Sequence, residues 1–530
     1  MNYRDLLKEN GYDGIPMLIK IGDEYVELSK EFAHDEDMEY KVLSTDHPAG
    51  NRAYERSICF LLIRAVHAID PKARVTIEHS ISRGLFCELE GLEVNSNTIA
   101  QLKEEMAILV KRDLPFVPKQ VEKEESIRIF EELGHDEIAR LFQSADFESI
   151  NLYELDGLTG FFYGPLAATT GDLVLFDLIP YKTGLVLMYP SQTIPYRVPE
   201  FYSQEKLYEI FRETGDWDAI LGVETLADLN QVIMAEEEKR IIAVAEGLHE
   251  KKYAEVADAI KRKGDVRVVM IAGPSSSGKT TSSRRLAIQM QVNGMKPFPI
   301  EMDNYFVDRL KSPVQPDGSL DFESINALNL DRFNEDIRKL MNGEPVTPPV
   351  FDFKTGLSMP GKETLTLPHD GIMIIEGIHG LNPELLKEID EKYKFKFYVS
   401  ALTQLNMDRH NRISTTDVRK IRRIVRDHRR RGWLPEETLH QFVSVRRGEK
   451  MNIFPYQELA DEMFNSTLVY ELAVLKKHAL PLLLDISKQS PAYDESRRLV
   501  AMLNFVKDLP DELIPANSIL REFIGGSFFD

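Results

Sequence analysis

Residues 268–287 read VVMIAGPSSSGKTTSSRRLA, and this stretch determines how the second half of the chain folds. The apolar run 268–272 is typical of a buried parallel strand, and residues 281–287 begin a helix. Between them lies a loop in which Gly273 and Gly278 permit the backbone turns that point N–H groups at phosphate oxygens. The following helix adds the partial positive charge of its N-terminus. The sequence therefore predicts a phosphate-binding loop between a strand and a helix.

The side chains of this loop match those that hold a nucleoside triphosphate together with magnesium. Lys279 can reach the β- and γ-phosphates, and Thr280 offers a hydroxyl ligand to Mg²⁺. A chance match within an ordinary loop is the alternative, but the preceding strand and the following helix argue against it. We therefore predict ATP and Mg²⁺ as cofactors. The predicted ATP-binding residues are Gly273, Ser275, Ser276, Ser277, Gly278, Lys279, Thr280 and Thr281.

Two acidic residues follow apolar strands farther along the chain. Asp303 comes after the strand-like segment 298–302, where it can accept the proton of an acceptor hydroxyl and help to hold the metal. Glu376 comes after residues 372–375, and an acid in this position binds Mg²⁺ directly or through water. An aspartate at a strand end is more often a turn or cap residue. Two such acids after a phosphate-binding loop nevertheless indicate phosphoryl transfer to a hydroxyl.

A cluster of basic residues lies between positions 409 and 431, with ten Lys or Arg against two Asp. A solvated basic helix face is one interpretation, and contact with nucleic acid is a second. The third is a lid whose guanidinium groups close over the transferring phosphoryl group and stabilise its charge. We favour the lid, because a phosphate-binding loop precedes the cluster. The arginines that crowd the predicted helix are Arg422, Arg423, Arg426, Arg429, Arg430 and Arg431.

Five segments of the C-terminal half occur in the order typical of one known family: GPSSSGKTT, MDNYFVDR, PPVFDFKTG, IIEGIHG and RRIVRDHRRRG. Over about residues 265–487 the chain resembles the uridine kinase and phosphoribulokinase family. The resemblance implies a P-loop kinase fold with a parallel sheet. It also implies that ATP and Mg²⁺ serve phosphoryl transfer to a hydroxyl of a small, sugar-containing molecule.

The resemblance implies a role for each matching residue. Asp303 is then the catalytic base, Lys279 is the phosphate clamp, and Glu323 lies near the acid that holds the ribose hydroxyls. The implied catalytic residues are Asp303, Lys279, Arg423, Arg426 and Arg431. The implied substrate-binding residues are Asp303, Tyr305, Glu323 and Phe351. The implied metal-binding residues are Thr280, Glu376 and Asp303.

Two departures from the family concern the acceptor. Uridine–cytidine kinases typically have a tyrosine where this chain has Phe351 and a histidine where it has Gly356, both facing the pyrimidine. Their loss removes hydrogen bonds that read a base, and such polar groups carry most substrate discrimination. We expect a nucleoside acceptor, with a sugar or polyol as the alternative. An ATP-gated protein that binds tRNA or another RNA is the third hypothesis.

The N-terminal half has a resemblance of its own. Residues 46–190 are similar to the second additional domain of threonyl-tRNA synthetase, preceded by a β-grasp (TGS-like) segment, through PKARVTI at 71–77 and GLFCEL at 84–89. The synthetase domain carries His-x-x-x-His and Cys-x-Gly-Pro-His motifs that support editing. The matching positions here hold other residues, so neither an editing hydrolase nor a metal site is expected. These positions are Arg56, Phe60, Phe162 and Leu166.

Composition restricts the remaining possibilities. The net charge of −21 over 530 residues argues against a general nucleic-acid binder, although the N-terminal half could provide a local exception. The two cysteines cannot form a disulfide framework. No stretch approaches the length of a membrane span, and the polar N-terminus lacks the features of a secretory signal. We expect a cytoplasmic homo-oligomer without a membrane segment.

The chain is long enough for several compact units. The predicted fold is multidomain α+β and α/β, a P-loop kinase with a parallel sheet preceded by β-grasp-like and synthetase-additional-domain-like modules. Residues 123–144 have the pattern of one amphipathic helix, and 203–263 are almost wholly helical. The predicted units are a β-grasp segment at 1–45, a synthetase-like module at 46–200, a helical connector at 201–263, the kinase domain at 264–490 and a tail at 491–530.

Overall fold

The computed structural model of the chain describes residues 1–12, 14–31, 39–315, 318, 320–352, 354–403 and 405–530. Part of the predicted segment 1–45 and Phe353 of the PPVFDFKTG segment lie outside the described residues. Within these ranges the chain combines antiparallel sheets, helices and one parallel sheet of five strands. None of the helices in the described ranges is long and apolar enough to cross a bilayer.

The first part of the chain is a short helix and a three-stranded antiparallel sheet in the order β2-β1-β3. The central strand is buried on both sides, since Met17, Leu18 and Ile19 are all inaccessible to solvent. The strands predicted near 17–21 and 24–28 are therefore confirmed to within one residue. The elements are α1 (Tyr3–Glu9), β1 (Pro16–Ile21), β2 (Glu24–Glu27) and β3 (Tyr40–Ser44).

Two antiparallel sheets and four helices follow, with the sheet orders β4-β5-β10-β9 and β6-β7-β8. The expected single helix over 123–144 is two helices, because Gly134 has a φ of +71° and ends the first one. The elements are α2 (Pro48–Ile69), β4 (Arg74–Ile81), β5 (Gly84–Glu90), α3 (Ser96–Arg112), β6 (Val117–Glu122), α4 (Lys123–Glu132), α5 (Asp136–Ser144), β7 (Ser149–Leu155), β8 (Leu158–Phe161), β9 (Asp177–Tyr181) and β10 (Gly184–Met188).

Three helices occupy the region predicted as a helical connector: α6 (Glu205–Leu221), α7 (Leu226–Met234) and α8 (Glu238–Lys263). Their apolar faces enter more than one core. Leu226 packs in a cluster with residues of both chain halves, whereas Tyr253 and Ile260 pack beneath the parallel sheet. The helices are therefore part of the folded body on either side of them.

The parallel sheet has the order β12-β15-β11-β16-β17 and places the glycine-rich loop after its central strand. The elements are β11 (Val268–Ala272), α9 (Lys279–Val292), β12 (Lys296–Glu301), α10 (Leu330–Met341), β13 (Val350–Asp352), β14 (Leu357–Met359), β15 (Gly371–Glu376), β16 (Lys394–Ser400), α11 (Thr415–Arg431), α12 (Pro435–Asn452), β17 (Glu462–Asn465), α13 (Glu471–Leu484), α14 (Tyr493–Leu503) and α15 (Arg521–Ile524).

Strand β11 is buried on both faces, which explains why its sequence is a continuous apolar run. Val269 and Ile271 pack towards α8 and α9, whereas Val268 and Met270 pack towards α10. In parallel pairing, β12 and β15 are in register, with Glu301 opposite Glu376. The carboxyl ends of β11, β12 and β15 therefore meet at one edge of the sheet, where ligands bind in open α/β folds.

The two halves of the chain are joined by one backbone hydrogen bond and by hydrogen bonds from asparagine side chains to backbone carbonyls. Ile77 in β4 donates its N–H to the carbonyl of Arg409 at 2.7 Å, and its carbonyl accepts from the amide of Asn406 at 3.0 Å. Asn411 donates to the carbonyl of Phe161 at 2.9 Å. The loop before α11 is thus tied to two of the antiparallel sheets of the N-terminal half, those that contain β4 and β8.

Candidate active site

The glycine-rich loop has the backbone geometry that its sequence predicts. Gly278 has a φ of +81°, in the left-handed region that favours glycine, and α9 begins at the next residue. A side chain on Gly273 would clash with the carbonyl of Val399 in β16. Both glycines are therefore required by the structure, one for its conformation and the other for the close approach of two strands.

Lys279 is half-buried near three carboxylates at the start of α9. Its ammonium group donates to the carbonyl of Pro274 at 3.1 Å. Burial lowers the pKa of Lys279, and Glu376, Glu522 and Asp303 oppose that effect because their negative charges favour the protonated amine. These interactions bring the predicted phosphate clamp close to both predicted strand-end acids.

Thr280 and Glu376 form the candidate metal pair. The hydroxyl of Thr280 donates to Oε1 of Glu376 at 2.9 Å. The other carboxylate oxygen, Oε2, is buried and has no hydrogen-bond partner among the described residues. Burial raises the pKa of Glu376 to about 7, with Lys279 opposing the rise. An unsatisfied buried oxygen beside a hydroxyl fits a divalent cation, since Mg²⁺ takes oxygen ligands.

The structure does not surround this position with a complete set of protein ligands. In the described part of the chain, no three or more His, Cys, Asp or Glu side chains are grouped to hold a metal. This agrees with the habit of Mg²⁺ in kinases, which binds one or two carboxylates together with substrate phosphates and water.

Asp303 lies in a turn of 3₁₀ helix (Met302–Tyr305) directly after β12. Burial raises the pKa of its carboxyl, while Lys279 and Arg431 oppose the rise and Glu301 adds to it. Asp303 therefore faces the same space as the phosphate clamp and one of the predicted arginines.

Tyr305 is placed differently from the sequence expectation. Its ring is 1% exposed and packs edge-on against Phe333 at 4.9 Å between ring centroids. Its hydroxyl donates to Asp336 at 3.1 Å. This placement does not support the predicted contact of Tyr305 with a substrate, because the side chain is enclosed in the core under α10.

Glu323 and Phe351 flank the candidate site. Burial raises the pKa of Glu323 to about 7; Glu449 adds to the rise, whereas Arg423 and Lys279 oppose it. Phe351 in β13 donates its N–H to the side-chain oxygen of Asn304 at 3.3 Å, beside the Asp303 turn. The carboxyl of Glu323 therefore lies near Lys279, and the backbone of Phe351 lies next to the turn that carries Asp303.

Gly356, the second position that departs from the family, has a backbone reason for being glycine. Its φ is +72°, and an added Cβ would lie 2.9 Å from atoms of the Arg309 side chain. Its carbonyl also accepts the N–H of Arg309 at 2.8 Å. A histidine at this position would be strained, so the turn itself excludes the imidazole typical of uridine–cytidine kinases.

Arg419, Arg422 and Arg423 of α11 are buried, so this part of the cluster is not a solvated basic face, whereas the arginines at positions 429–431 are exposed. Arg422 is fully buried and forms an ion pair with Glu471 at 2.5 Å, and Arg419 forms a buried ion pair with Glu449. Both also donate to backbone carbonyls of the glycine-rich loop, at Ser275 and Ser276. These ion pairs and hydrogen bonds fix α11 against the glycine-rich loop, so this part of the helix packs against the protein.

Arg423, Arg426 and Arg431 are brought together at the phosphate-binding end. Arg423 donates to the hydroxyl of Ser275 at 2.8 Å. All three form ion pairs with the buried carboxylate of Asp427, at 3.0 to 3.4 Å. Arg426 lowers the pKa of Lys279, which places its charge near the clamp. The three arginines predicted to form a lid therefore all pair with Asp427 at the phosphate-binding end of the sheet.

Sequence analysis did not identify Arg419, Glu449 and Glu471 as residues that shape the site. A signal was present, because Arg419, Arg422 and Arg426 recur at a spacing of three and four and so share one helix face. The acidic partners could not be found in this way, since Glu449 is 30 residues from Arg419 and Glu471 is 49 residues from Arg422.

The C-terminal tail, for which no role is predicted from the sequence, lies on the glycine-rich loop. The carboxylate of Glu522 accepts hydrogen bonds from the hydroxyl of Thr281 at 2.8 Å and from its N–H at 3.3 Å. Ile519 packs over Gly278 so closely that a Cβ there would clash. No local sequence pattern could have revealed a contact between residues 241 positions apart.

Comparison with known proteins gives the same picture for the C-terminal half. The phosphoribulokinase / uridine kinase family matches residues 268–471. A uridine kinase from Bacillus velezensis is 31% identical over 180 residues, which are 34% of this chain and 76% of that protein. A uridine kinase from Bacillus subtilis (strain 168) has the same identity and coverage. Among solved structures, D-glycerate 3-kinase from Cryptococcus neoformans is 12% identical, covering 48% of this chain and 87% of that chain, with a TM-score of 0.21.

Proposed function

Because the chain belongs to the phosphoribulokinase and uridine kinase family and is a P-loop kinase, we propose that it transfers the γ-phosphoryl group of ATP to a hydroxyl of a nucleoside. The observation that carries the proposal is the meeting of Lys279, Asp303 and Glu376 at the carboxyl edge of one parallel sheet. An ammonium group and two acids in this arrangement suit phosphoryl transfer, which needs positioning and charge stabilisation more than covalent chemistry.

Each residue of the site has a part in this reaction. The N–H groups of the glycine-rich loop and Lys279 bind the phosphates, and the arginines anchored on Asp427 stabilise the charge of the transferring group. Thr280 and Glu376 would hold Mg²⁺, which supplies electrostatic stabilisation of the phosphate oxygens when bound. Asp303 orients the acceptor hydroxyl and takes its proton as the new bond to phosphorus forms.

The raised pKa of Asp303 supports its proposed part as the base. A carboxylate whose pKa is raised holds a proton more tightly than one with the ordinary value, so it is a better acceptor for the hydroxyl proton. The positive charges of Lys279 and Arg431 oppose that rise in pKa, because they favour the ionised carboxylate of Asp303 that can accept a proton. The surroundings of Asp303 therefore raise its proton affinity and also favour its ionised form, and a general base needs both.

Phe351 and Gly356 favour one second candidate, a kinase for a sugar or polyol without a nucleobase. Phe351 can stack on a base but cannot donate a hydrogen bond to it, and the turn at Gly356 excludes an imidazole. The third hypothesis, ATP-gated RNA binding, loses the support of Arg419 and Arg422, because both are consumed in buried ion pairs.

The similarity of residues 46–200 to a synthetase additional domain, preceded by a β-grasp segment at 1–45, stays a proposal. The boundaries at 200/201, 263/264 and 490/491 are predictions in the same sense. A module of this kind in front of the kinase would bind a ligand or regulate the site, and the contacts of Ile77 with the loop before α11 support a connection between the two.

The acceptor is tested by supplying the purified chain with ATP, Mg²⁺ and a panel of nucleosides, sugars and polyols. Consumption of ATP and formation of the phosphorylated product are followed together. We expect product with one or more nucleosides and none from the Lys279→Ala variant. Product only from sugars or polyols would select the second candidate, and equal turnover of wild type and Lys279→Ala with every acceptor would reject the proposal.

A further inference from the structure

A second cavity, of about 1290 Å³, lies outside the phosphate-binding site. It opens between the N-terminal half and the helices α11, α12 and α14. Its walls carry Arg56 of α2, Arg412 of the loop before α11, and Arg498 of α14, while the residues of the glycine-rich loop do not line it. The volume suits a small organic molecule, since ligand pockets are typically several hundred Å³.

Three of the acidic side chains that line this cavity are neutralised by basic neighbours. Arg498 forms ion pairs with Asp417 at 2.5 Å and with Glu495 at 2.6 Å, and Lys420 also contacts Glu495. Asp494 accepts from the hydroxyl of Tyr25 at 3.0 Å and pairs with Lys20. These acids and bases satisfy one another and contribute little net charge to the cavity.

Two arginines of this cavity form no ion pair with a described residue, although the charge of Arg412 interacts with that of Glu78. The guanidinium of Arg412 has neither an ion pair nor a side-chain hydrogen bond to any described residue, and its Nε is buried. Arg56 donates to the carbonyl of Pro165 at 2.8 and 3.2 Å and forms no ion pair within the described ranges, while the charge of Glu55 favours its protonated form. Burial lowers the pKa of Arg56 to about 10, and the nearby charge of Arg52 adds to the effect.

Arg56 and Arg412 both lie near the thiol of Cys59, which also lines the cavity. Burial raises the pKa of the Cys59 thiol, and Arg412 and Arg56 both oppose that rise, so both positive charges lie near the same sulfur. A charged group that is partly removed from water and forms no ion pair is stabilised by a counter-charge. An arginine presents a planar fork that matches the oxygens of a carboxylate or phosphate.

We propose that this cavity is a second ligand site, for a small molecule that places a phosphate or carboxylate group between Arg56 and Arg412. The site is distinct from the proposed ATP site and does not depend on the identity of the acceptor. Asp417 and Lys420 of α11 line it, and Arg423 of the same helix contacts the glycine-rich loop. A bound anion therefore touches the helix that also lines the phosphate-binding end.

Selenate soaked into crystals of the full chain gives a direct test, since its anomalous signal locates the anion. A peak between Arg56 and Arg412 supports the proposal. A peak at the glycine-rich loop serves as an internal control, because that loop binds phosphate in the proposed function. Selenate at the loop without any in the cavity overturns this inference while leaving the kinase proposal intact.

Calorimetric titration separates the two possible chemical groups. Inorganic phosphate and succinate are each titrated into the Lys279→Ala protein, in which the loop is disabled, and into the same protein with Arg412→Gln or Arg56→Gln. We expect one of the two probes to bind, about tenfold more weakly after either substitution, since each removes a charge-assisted hydrogen bond. The exposed Arg262→Gln is the matched control. Failure of both probes to bind, or binding that the substitutions do not change, contradicts the proposal.

An independent observation concerns the tail that covers the glycine-rich loop. Phe523 is fully buried, with the guanidinium of Arg422 5.0 Å from the centre of its ring. Arg429 donates to the carbonyl of Phe523 at 3.1 Å, and Arg430 pairs with Asp530 at 2.6 Å. The tail is thus held on the phosphate-binding end by arginines of α11.

The position of Glu522 coincides with a place where phosphate oxygens bind. The first N–H groups of the helix after such a loop point at the phosphates of a nucleotide. Here the N–H and hydroxyl of Thr281 both donate to the Glu522 carboxylate, which is 8% exposed. A carboxylate has the negative charge and the oxygen acceptors of a phosphate group, so it satisfies the same donors.

Resting on the proposed ATP binding, we infer that Glu522 is an intramolecular competitor of the nucleotide. It occupies the Thr281 donors until a nucleotide phosphate displaces it. Removing its charge then makes the donors available. The segment from Ile519 to Asp530 would have to move from the loop when ATP enters.

The affinity for ATP tests this inference by calorimetry on the wild type, Glu522→Gln and Glu512→Gln, the last being an exposed control in the same tail. We expect Glu522→Gln to bind ATP about tenfold more tightly, as loss of a charge-assisted contact predicts, and the control to match wild type. Unchanged or weaker binding by Glu522→Gln contradicts the competitor. Failure of all three proteins to bind ATP would instead contradict the proposed function.

Amide hydrogen exchange provides a readout that does not depend on substitution. In the wild type, exchange within residues 519–530 should accelerate when ATP is added, while the strands of the parallel sheet stay protected. If exchange in the tail slows or stays constant while ATP is bound, the tail is a wall of the nucleotide site and the competitor inference is wrong.

Discussion

Asp303 and Lys279 show how the surrounding protein changes the pKa of single side chains at this site. Burial raises the pKa of the carboxyl and lowers the pKa of the amine, so both shift towards neutral pH. Each also opposes the shift of the other through its charge. A proton acceptor and a phosphate clamp placed this closely hold each other in the ionised forms that phosphoryl transfer requires.

Replacing Asp303 with asparagine should remove the base and leave the phosphate loop in place. We expect kcat to fall by roughly 10²- to 10⁴-fold, the usual contribution of general base catalysis, with little change in the affinity for ATP. Steady-state kinetics and calorimetry measure the two quantities. Full turnover by Asp303→Asn would exclude it as the base.

Replacing Glu376 with glutamine tests the metal pair. The amide keeps one oxygen for the Thr280 hydroxyl but loses the negative charge of the unsatisfied Oε2. We expect the Mg²⁺ concentration that gives half-maximal activity to rise about 10- to 100-fold, the range for a substitution that weakens a metal site. Glu301→Gln, at the paired position of β12, is the matched control. The same Mg²⁺ dependence in both variants would argue against a metal role for Glu376.

Among the elements, helix α11 connects most of the features described above. Its first turns line the second cavity through Asp417 and Lys420, its middle is fixed by buried ion pairs, and its last turns carry Arg426 and Arg431. A helix anchored by Glu471 cannot move as a free lid. The placement of its arginines over the loop is therefore a property of packing.

Breaking the ion pair between Arg422 and Glu471 should destabilise the protein strongly. Arg422→Met leaves a buried carboxylate without its partner, which costs about 3–5 kcal/mol. The double variant with Glu471→Leu should recover part of that loss, because no charge is then left unpaired. Chemical denaturation measures both, with Arg430→Met as a surface control that costs about 0–1 kcal/mol. A double variant less stable than Arg422→Met would show that the pair itself is not the cause.

At the scale of the whole molecule, the N-terminal half and the kinase half meet at charged groups around β4. Burial raises the pKa of Glu78 to about 7, Glu88 and Glu224 add to the rise, and Arg409 and Arg412 oppose it. The charges at this junction come from both halves of the chain. Its stability is therefore expected to depend on pH.

The direction of that dependence follows from the raised pKa. Because folded Glu78 binds its proton more tightly than the unfolded side chain, its contribution to stability is complete below about pH 4.5 and is lost as the pH rises through 7. Between pH 5 and 8 the apparent melting temperature of wild type should fall more steeply than that of Glu78→Gln. The exposed Glu93→Gln is the control. Parallel melting profiles of wild type and Glu78→Gln would contradict this prediction.

The sequence alone determined the elements whose signals are local. The run 268–287 predicted strand, loop and helix because burial on two faces, the left-handed turn at Gly278 and a helix start each leave a pattern within a few residues. The strands before Asp303 and Glu376 were predicted for the same reason. Their meeting followed because carboxyl ends of parallel strands share an edge.

Only the tertiary structure decided what the charged side chains contact. The sequence predicts that the arginine cluster is helical, but it does not predict the partners Glu449 and Glu471. The enclosure of Tyr305 and the contact of Glu522 with Thr281 likewise depend on chain segments that are far apart in sequence. A buried charged side chain is stabilised by an opposite charge that lies close in space. Tertiary packing therefore determines its partner, and the local sequence pattern does not. The glycine-rich loop can therefore be predicted from local sequence. The residues that contact it or the arginines bound to it, such as Glu449, Glu471 and Glu522, can be identified only in the folded structure.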